Sequence, residues 1–318
     1  MTALLQRLLP AARIDGRTLL LTFGAPLAAF ALFLALWSAV AARIQTSLGA
    51  VPGPLAVAEQ ARGLWHEHRA ERQRAEDFYA RQDKRNAERK AADPDYEVRV
   101  RPYTGKATYF DQIRTSLLTV FTGFLIGTLV AVPLGILAGA SQVVQAAINP
   151  LVQIFRPVSP LAWLPIVTLV VSAVYVSQGQ PMFEKSFLIS AITVTLCSLW
   201  PTLINTAIGV TSVDKELVNV GRVLQLPLGT RVRKIILPSA LPFIFTGMRL
   251  SLGVGWMVLI AAEMLAQNPG LGKFVWDEFQ NGSSDSLGRI MVAVFTIGLI
   301  GFALDRAMQL LQQLVTRR

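Results

Sequence analysis

Cysteine occurs once and histidine twice in the 318 residues. Cys197 sits inside the apolar run SAITVTLCSLWP, so no disulfide framework exists and the thiol reads as packing. His66 and His68 are two residues apart, and on a helix such neighbours point to different faces, which disfavours a metal pair. Charge is also scarce: 16% of residues are Asp, Glu, Lys or Arg, against roughly 25% in soluble domains. Carboxylates are scarcest where the chain is most apolar. Between residues 112 and 276 the sequence has only Glu184 and Glu263, apart from Asp111 at the edge and the loop pair Asp214 and Glu216. A membrane-embedded enzyme, one rival class, would need a convergent acid–base or metal cluster that this stretch does not supply. Nor is there a phosphate-binding loop. Neither Gly105-Lys106 nor Gly272-Lys273 has a glycine five positions earlier or a Ser or Thr next, so the chain binds no nucleotide of its own.

What the sequence has instead is apolar length. Hydrophobic residues make up 53% of it, mean hydropathy is +0.47, and several runs exceed the ~20 residues that cross a bilayer. The reading is an all-α integral membrane protein with about six spans. The net charge of +10 does not gather into one basic face with interleaved aromatics, so it indicates topology rather than nucleic acid. The first run, Leu19 to Val40, follows Arg7, Arg13 and Arg17; it is too long for a signal-peptide core and lacks a small-residue cleavage site, so it reads as a retained span. From Ala58 to Lys106 both signs of charge are dense, a pattern that predicts a solvated helix ending near Pro94. Further spans are expected near 115–139, 151–176, 187–210, 243–266 and 289–313. The first of these carries Gly123, Gly127, Gly135 and Gly139 in two small-xxx-small pairs that let helices approach closely. The next is interrupted by Pro157, Pro160 and Pro165, which marks either a pathway or a kinked packing helix.

Lys and Arg concentrate in the N-terminal tail, in residues 211–240 and at Arg317 and Arg318, whereas the loops at 178–186 and 267–288 hold one lysine each. Both termini and the 211–240 loop are therefore expected in the cytoplasm and the charged insertion outside. The expected divisions are 1–42 (tail and first span), 43–111 (insertion) and 112–314 (transmembrane domain).

The basic loop carries the motif. Leu217, Val220 and Leu224 recur at helical spacing, with Asp214 and Glu216 at the favourable N-terminal end and Pro227 and Gly229 as stops. An apolar stripe on a short helix outside the bilayer needs cover, from a partner or from the chain's own cytoplasmic face. Here the sequence resembles the membrane subunits of bacterial ATP-binding cassette importers. Their cytoplasmic signature is Glu-Ala-Ala, three residues, Gly, nine residues, Ile-x-Leu-Pro. Asn219, Val220 and Gly221 stand at the triplet, Gln225 at the glycine, and Ile235, Leu237 and Pro238 close the motif. The runs RPVSPLAWLPI (156–166), WPTLINTAIGV (200–210) and AAEMLAQNPGLGKFVWDEFQNG (261–282) look like the branch importing nitrate, bicarbonate, cyanate or sulfonates such as taurine, and most like the nitrate-type permeases. The likeness spans residues 112–314.

That resemblance implies a type I importer permease fold in the bacterial inner membrane. It also implies a homodimer of permeases, two cytoplasmic ATPase subunits that use the ATP and magnesium, and a periplasmic or lipid-anchored binding protein. Glu216, Leu217, Val220, Gly221, Arg222, Leu224, Gln225 and Pro227 would form the coupling helix and its exit. For the anion path the candidates are Arg156, Ser159 and Trp163 in the proline-broken run, with Arg249 and Glu263 in the fifth span. Arg156 would equally snorkel to the headgroups. Arg249 and Glu263 are 14 residues apart, or ~21 Å along a helix, so they cannot pair. Arg249 faces either the anion or backbone carbonyls of a neighbouring span. A scaffold subunit, the third class, would leave the proline-broken span unexplained.

Overall fold

The structure, a computed structural model, describes residues 20–46, 49–175, 183–283 and 285–316. Arg7, Arg13, Arg17, Arg317 and Arg318, and residues 178–182 of the sparsely charged loop, lie outside the described residues.

Helix α1 (Ala25–Ala41) follows one π-helical turn, Leu20–Gly24, and is exposed along most of its length. It touches the rest of the chain where Trp37 lies 5.2 Å from Phe295, ring to ring. A two-residue ladder (β1, Gln45–Thr46; β2, Gly49–Ala50) leads to α2, Pro54–Ala92. Proline at the first helical position and Asp93 before Pro94 bound this 39-residue helix, ~58 Å long, as the charge pattern predicts. Val57 and Leu64 plug its base into the main core, and Trp65 meets Phe110 edge-on at 5.2 Å. The segment returning from Pro94 lies back along α2. Buried Gln82 accepts from the Arg101 amide (2.8 Å), Asn86 donates to the Arg99 carbonyl (3.1 Å), and the Tyr103 hydroxyl donates to Glu71 (2.8 Å). That last bond holds the Glu71 carboxyl below its ordinary range.

Helix α3 (Tyr109–Ala140) opens on a capping box between Thr108 and Asp111, so the span begins before the expected residue 115. Then come α4 (Gln142–Phe155), α5 (Pro160–Val174), α6 (Lys185–Thr211), the short α7 (Lys215–Val223) and α8 (Leu228–Arg231). After a π turn at Val232–Ile236 follow α9 (Leu237–Ala266), α10 (Leu271–Asn281) and α11 (Ser286–Thr316). Among the described residues, five stretches are long and apolar enough to span: Leu20–Ala41, Tyr109–Ala140, Lys185–Thr211, Gly229–Ala266 and Ser286–Thr316. A sixth forms only if α4 and α5, bent by 101°, are counted as one.

That bend falls at the prolines that interrupt the expected span at 151–176, but the start of the span differs. The apolar helix starts at Gln142 instead, and α5 alone, with 15 residues, covers ~22 Å, short of the ~30 Å hydrocarbon core. Pro157 offers no backbone donor. Ser159 then caps a new helix, its hydroxyl accepting from the Leu161 amide (3.3 Å), with Pro160 at the first position.

Helix α6 is the central element, sandwiched between α3 and α9. The glycine stripe of α3 makes one side of this seam. Gly123 lies on Ala191 and Val194, Gly135 on Leu203 and Thr206, and Gly139 on Ala207 and Val210. A Cβ on Gly135 would stand 2.6 Å from that of Thr206, so backbone contact is what the stripe supplies. On the other side Gly247 meets Pro201 and Thr202. Pro201 interrupts the α6 ladder, and the adjacent Thr202 amide and hydroxyl turn outward to Ser251 Oγ on α9 (3.1 and 2.7 Å).

Candidate functional site

The coupling segment is a helix with two faces. Asp214 accepts from the Glu216 amide (2.8 Å) at its start, and Glu216 itself is exposed. Leu217, Val220, Val223 and Leu224 are at least half exposed, forming an uncovered apolar ridge. Beside this ridge, about 40° round the helix from Leu217, Gly221 is buried; a Cβ there would stand 2.9 Å from Ile235 Cδ1 and 3.3 Å from the Arg231 side chain. Gly221 therefore seats the helix on its own permease, and the ridge points away. The side chain of Arg222 lies outside the described residues.

The helix ends as a Schellman motif. Gln225 has φ +50°, and the Leu226 amide reaches back to the Gly221 carbonyl (3.1 Å). The position where the importer signature has glycine thus keeps the left-handed backbone that glycine accommodates, with a glutamine in it. Pro227 starts the next turn, its carbonyl accepting from the Arg231 amide (3.0 Å). Behind the ridge is a cavity of about 840 Å³, lined by Gln142, Gln145, Thr211, Asn219 and Arg231 among others.

The expected path residues do not come together. Arg156 is exposed at the α4–α5 bend and has no ion pair among the described residues. Ser159 serves as a helix cap. Trp163 is half-buried, 5.7 Å from Phe155, whose other side stacks on Trp200 at 6.3 Å. Both indole N–H groups are buried without a partner among the described residues.

Arg249 is engaged, and by neither expected partner. Its guanidinium forks onto Asp305 of α11, Nη2 to Oδ2 at 2.8 Å and Nε to Oδ1. The alternatives of a free cation or of bonds to backbone carbonyls are corrected accordingly. Asp305 was visible as the one carboxylate within the last apolar run, but it lies beyond residue 276, where the carboxylate count ended.

Glu263 is corrected too. It is fully buried. The Ser116 hydroxyl lies 2.8 and 2.9 Å from its two oxygens, and the Gly272 amide donates to it at 2.9 Å. Leu271 N–H donates to Ser116 Oγ (2.9 Å). A carboxylate thus caps the positive end of α10, an interaction favoured by the helix dipole. Gly270, at φ +150°, leaves room for it, because any Cβ would strike the Glu263 carboxyl. His66 is exposed and His68 meets Thr108 Oγ1 at 2.7 Å, so the two imidazoles do not converge.

The family model described as "Binding-protein-dependent transport system inner membrane component" matches residues 131–317. Among curated relatives, the bicarbonate transport system permease protein CmpB of Synechococcus elongatus is 39% identical over 210 residues, 65% of this chain and 70% of that protein. The nitrate import permease protein NrtB of the same species is 33% identical over 205 residues, 64% and 69% of the two chains. NrtB of Leptolyngbya laminosa is 36% identical over 206 residues, 64% and 68%. In three dimensions the chain is similar to an inward-facing structure of the MetNI methionine ABC transporter, with a TM-score of 0.56 at 15% identity, covering 65% of this chain and 96% of that one. The bundle accordingly has the type I permease fold. With an uncovered apolar ridge, a helical bundle and a family match over most of the spans, the chain belongs to the binding-protein-dependent transport system inner membrane components: it is the non-catalytic permease subunit of an ABC importer.

Proposed function

We propose that the permease carries a small inorganic anion, nitrate foremost, along a path between two copies of this chain. Partner ATPases and a substrate-binding protein follow from membership of the family. The homodimer, the cytoplasmic placement of both termini and of α7, and the use of ATP and magnesium by the partners belong to this proposal. The observation that carries it is the 33–36% identity to nitrate permeases. Bicarbonate is the second reading, favoured by the 37–39% identity to bicarbonate permeases.

Closure of the ATPases would reach the pathway through the ridge of Leu217, Val220 and Leu224, with Gly221, Gln225 and Pro227 fixing its angle. Each apolar side chain covered on docking contributes ~1.5–3 kcal/mol. Arg156 at the bend attracts the anion. The indole N–H groups of Trp163 and Trp200, unpaired among the described residues, suit an acceptor as weakly hydrated as nitrate; an unsatisfied donor in hydrocarbon costs several kcal/mol. Because Arg249 is neutralised by Asp305, it offers the anion no net positive charge.

The test is uptake into proteoliposomes containing the permease, its ATPases and its binding protein, with isotopically labelled nitrate and bicarbonate offered in parallel. ATP-dependent, saturable nitrate uptake is the expected result. Bicarbonate uptake without nitrate uptake would reverse the order of the two readings, and transport of neither would remove the small-anion class.

A further inference from the structure

The insertion formed by α2 and its return segment lies outside residues 131–317, the part matched by the family. Beyond Arg72, which pairs with Asp111, the side-chain hydrogen bonds of α2 among the described residues run within the helix or to its own return segment. In this distal half a cleft of about 200 Å³ is lined by Arg85, Arg89, Arg99 and Arg101, with Gln82, Asn86 and Tyr96. None of the four arginines forms an ion pair among the described residues.

Their convergence is built in. Arg85 and Arg89 are one turn apart on α2, while Arg99 and Arg101 lie two residues apart on the return segment and line the same cleft. That segment is fixed in register by the bonds of Gln82 and Asn86 to its backbone at 99 and 101. Arg89 is further oriented by Tyr96, donating to its hydroxyl (3.2 Å) and lying 5.6 Å over its ring. Like charges one turn apart disfavour a helix, and here four guanidiniums share a cleft without a carboxylate.

We infer that this arginine cleft is a docking site for an acidic protrusion on the transporter's soluble binding protein. The inference rests on the proposed topology, which puts the insertion on the side from which that protein approaches. All four arginines are exposed, so a small ion there would stay hydrated and screened, whereas a protein surface excludes water over the whole cleft. An anionic lipid plane fits less well, because Asp83, Glu88, Asp93, Asp95 and Glu97 on the same hairpin would face it too.

The experiment uses the complete transporter in proteoliposomes and reads ATPase activation against binding-protein concentration. Arg85→Gln/Arg89→Gln and Arg99→Gln/Arg101→Gln should each raise the half-saturating concentration about tenfold at low ionic strength, leave the maximal rate unchanged, and lose most of the difference in high salt. Lys90→Gln, outside the cleft, should have little effect. Unchanged half-saturation in both double variants would overturn the inference. So would a dependence on anionic lipid content in place of binding protein, or millimolar sulfate binding that needs the arginines while half-saturation stays fixed. A cysteine at Ala87 tests the underlying topology separately: labelling only from the cytoplasmic side would sink the topology, whereas outside labelling without a shift in half-saturation would sink the cleft alone.

Discussion

At Arg249 a guanidinium inside an apolar helix meets Asp305 through two parallel contacts, so neither charge is left to hydrocarbon. Removing one partner strands the other, at a cost of ~2.5–3.5 kcal/mol near the bilayer centre. Arg249→Gln and Asp305→Asn should therefore each lower the melting temperature of the purified permease, whereas the double variant should melt close to the wild type; melting in detergent reads this directly. A double variant as unstable as the sum of its parents would show that the two side chains act independently. The need for a partner could be read from Arg249 alone, because an arginine deep in a span must be compensated. The identity of the partner could not, since it sits 56 residues away on another helix. Gln225 is the opposite case. Its residue type departs from the importer signature, yet its backbone has the left-handed geometry for which glycine is best suited.

Among the elements, α3 and α6 show what a sequence pattern can and cannot disclose. The spacing of Gly123, Gly127, Gly135 and Gly139 announces close helix contact, and all four face α6. It does not announce that the contact is uneven. At Gly135 an added Cβ would be 2.6 Å from Thr206 Cβ and 2.8 Å from the Leu203 carbonyl, while at Gly127 the nearest atoms stand at 3.7 Å, ordinary van der Waals contact. Gly135→Ala should destabilise by ~1–3 kcal/mol through overpacking. Gly127→Ala should be neutral or stabilise by ~0.5–1 kcal/mol, the usual gain over glycine in a helix. Thermal denaturation of the two variants side by side checks the contrast, and equal losses would mean that the seam relaxes as a unit. The bent α4–α5 pair was legible only as a disruption: the prolines at 157, 160 and 165 mark a break, but its angle depends on how Ser159 caps the second helix. Extra apolar sequence before the break, from Gln142, was hidden by its continuity with the preceding span.

For the molecule as a whole, membrane residence, helical class and the apolar stripe of α7 were readable from apolar length, charge placement and one spaced motif. The joins between distant parts were not. Gln60 reaches Asp285 across 225 positions at 3.0 Å, and Arg289 binds both Glu67 and Glu278, clamping the base of α2 to α10 and α11. The ridge gives the prediction that belongs to this scale. Leu224→Asp puts a charge on an exposed apolar contact without disturbing the buried Gly221 face, so the permease should still insert while ATPase co-purification and uptake fall below detection. Retention of both would place the docking contact elsewhere.

That clamp at the base of α2 has a mechanical consequence. From Arg72, the last residue of the helix tied to the body, to Ala92 at its end runs an arm of ~30 Å at 1.5 Å per residue. An arm held at one end magnifies whatever its mount does. If α11 and α10 tilt by about 10° as the pathway changes access, in the manner of packed helices that shift as rigid bodies, the tip sweeps ~5 Å. The insertion is thus a pointer whose swing, read by spin labels near residue 90, would follow the alternation of the buried spans from outside the bilayer.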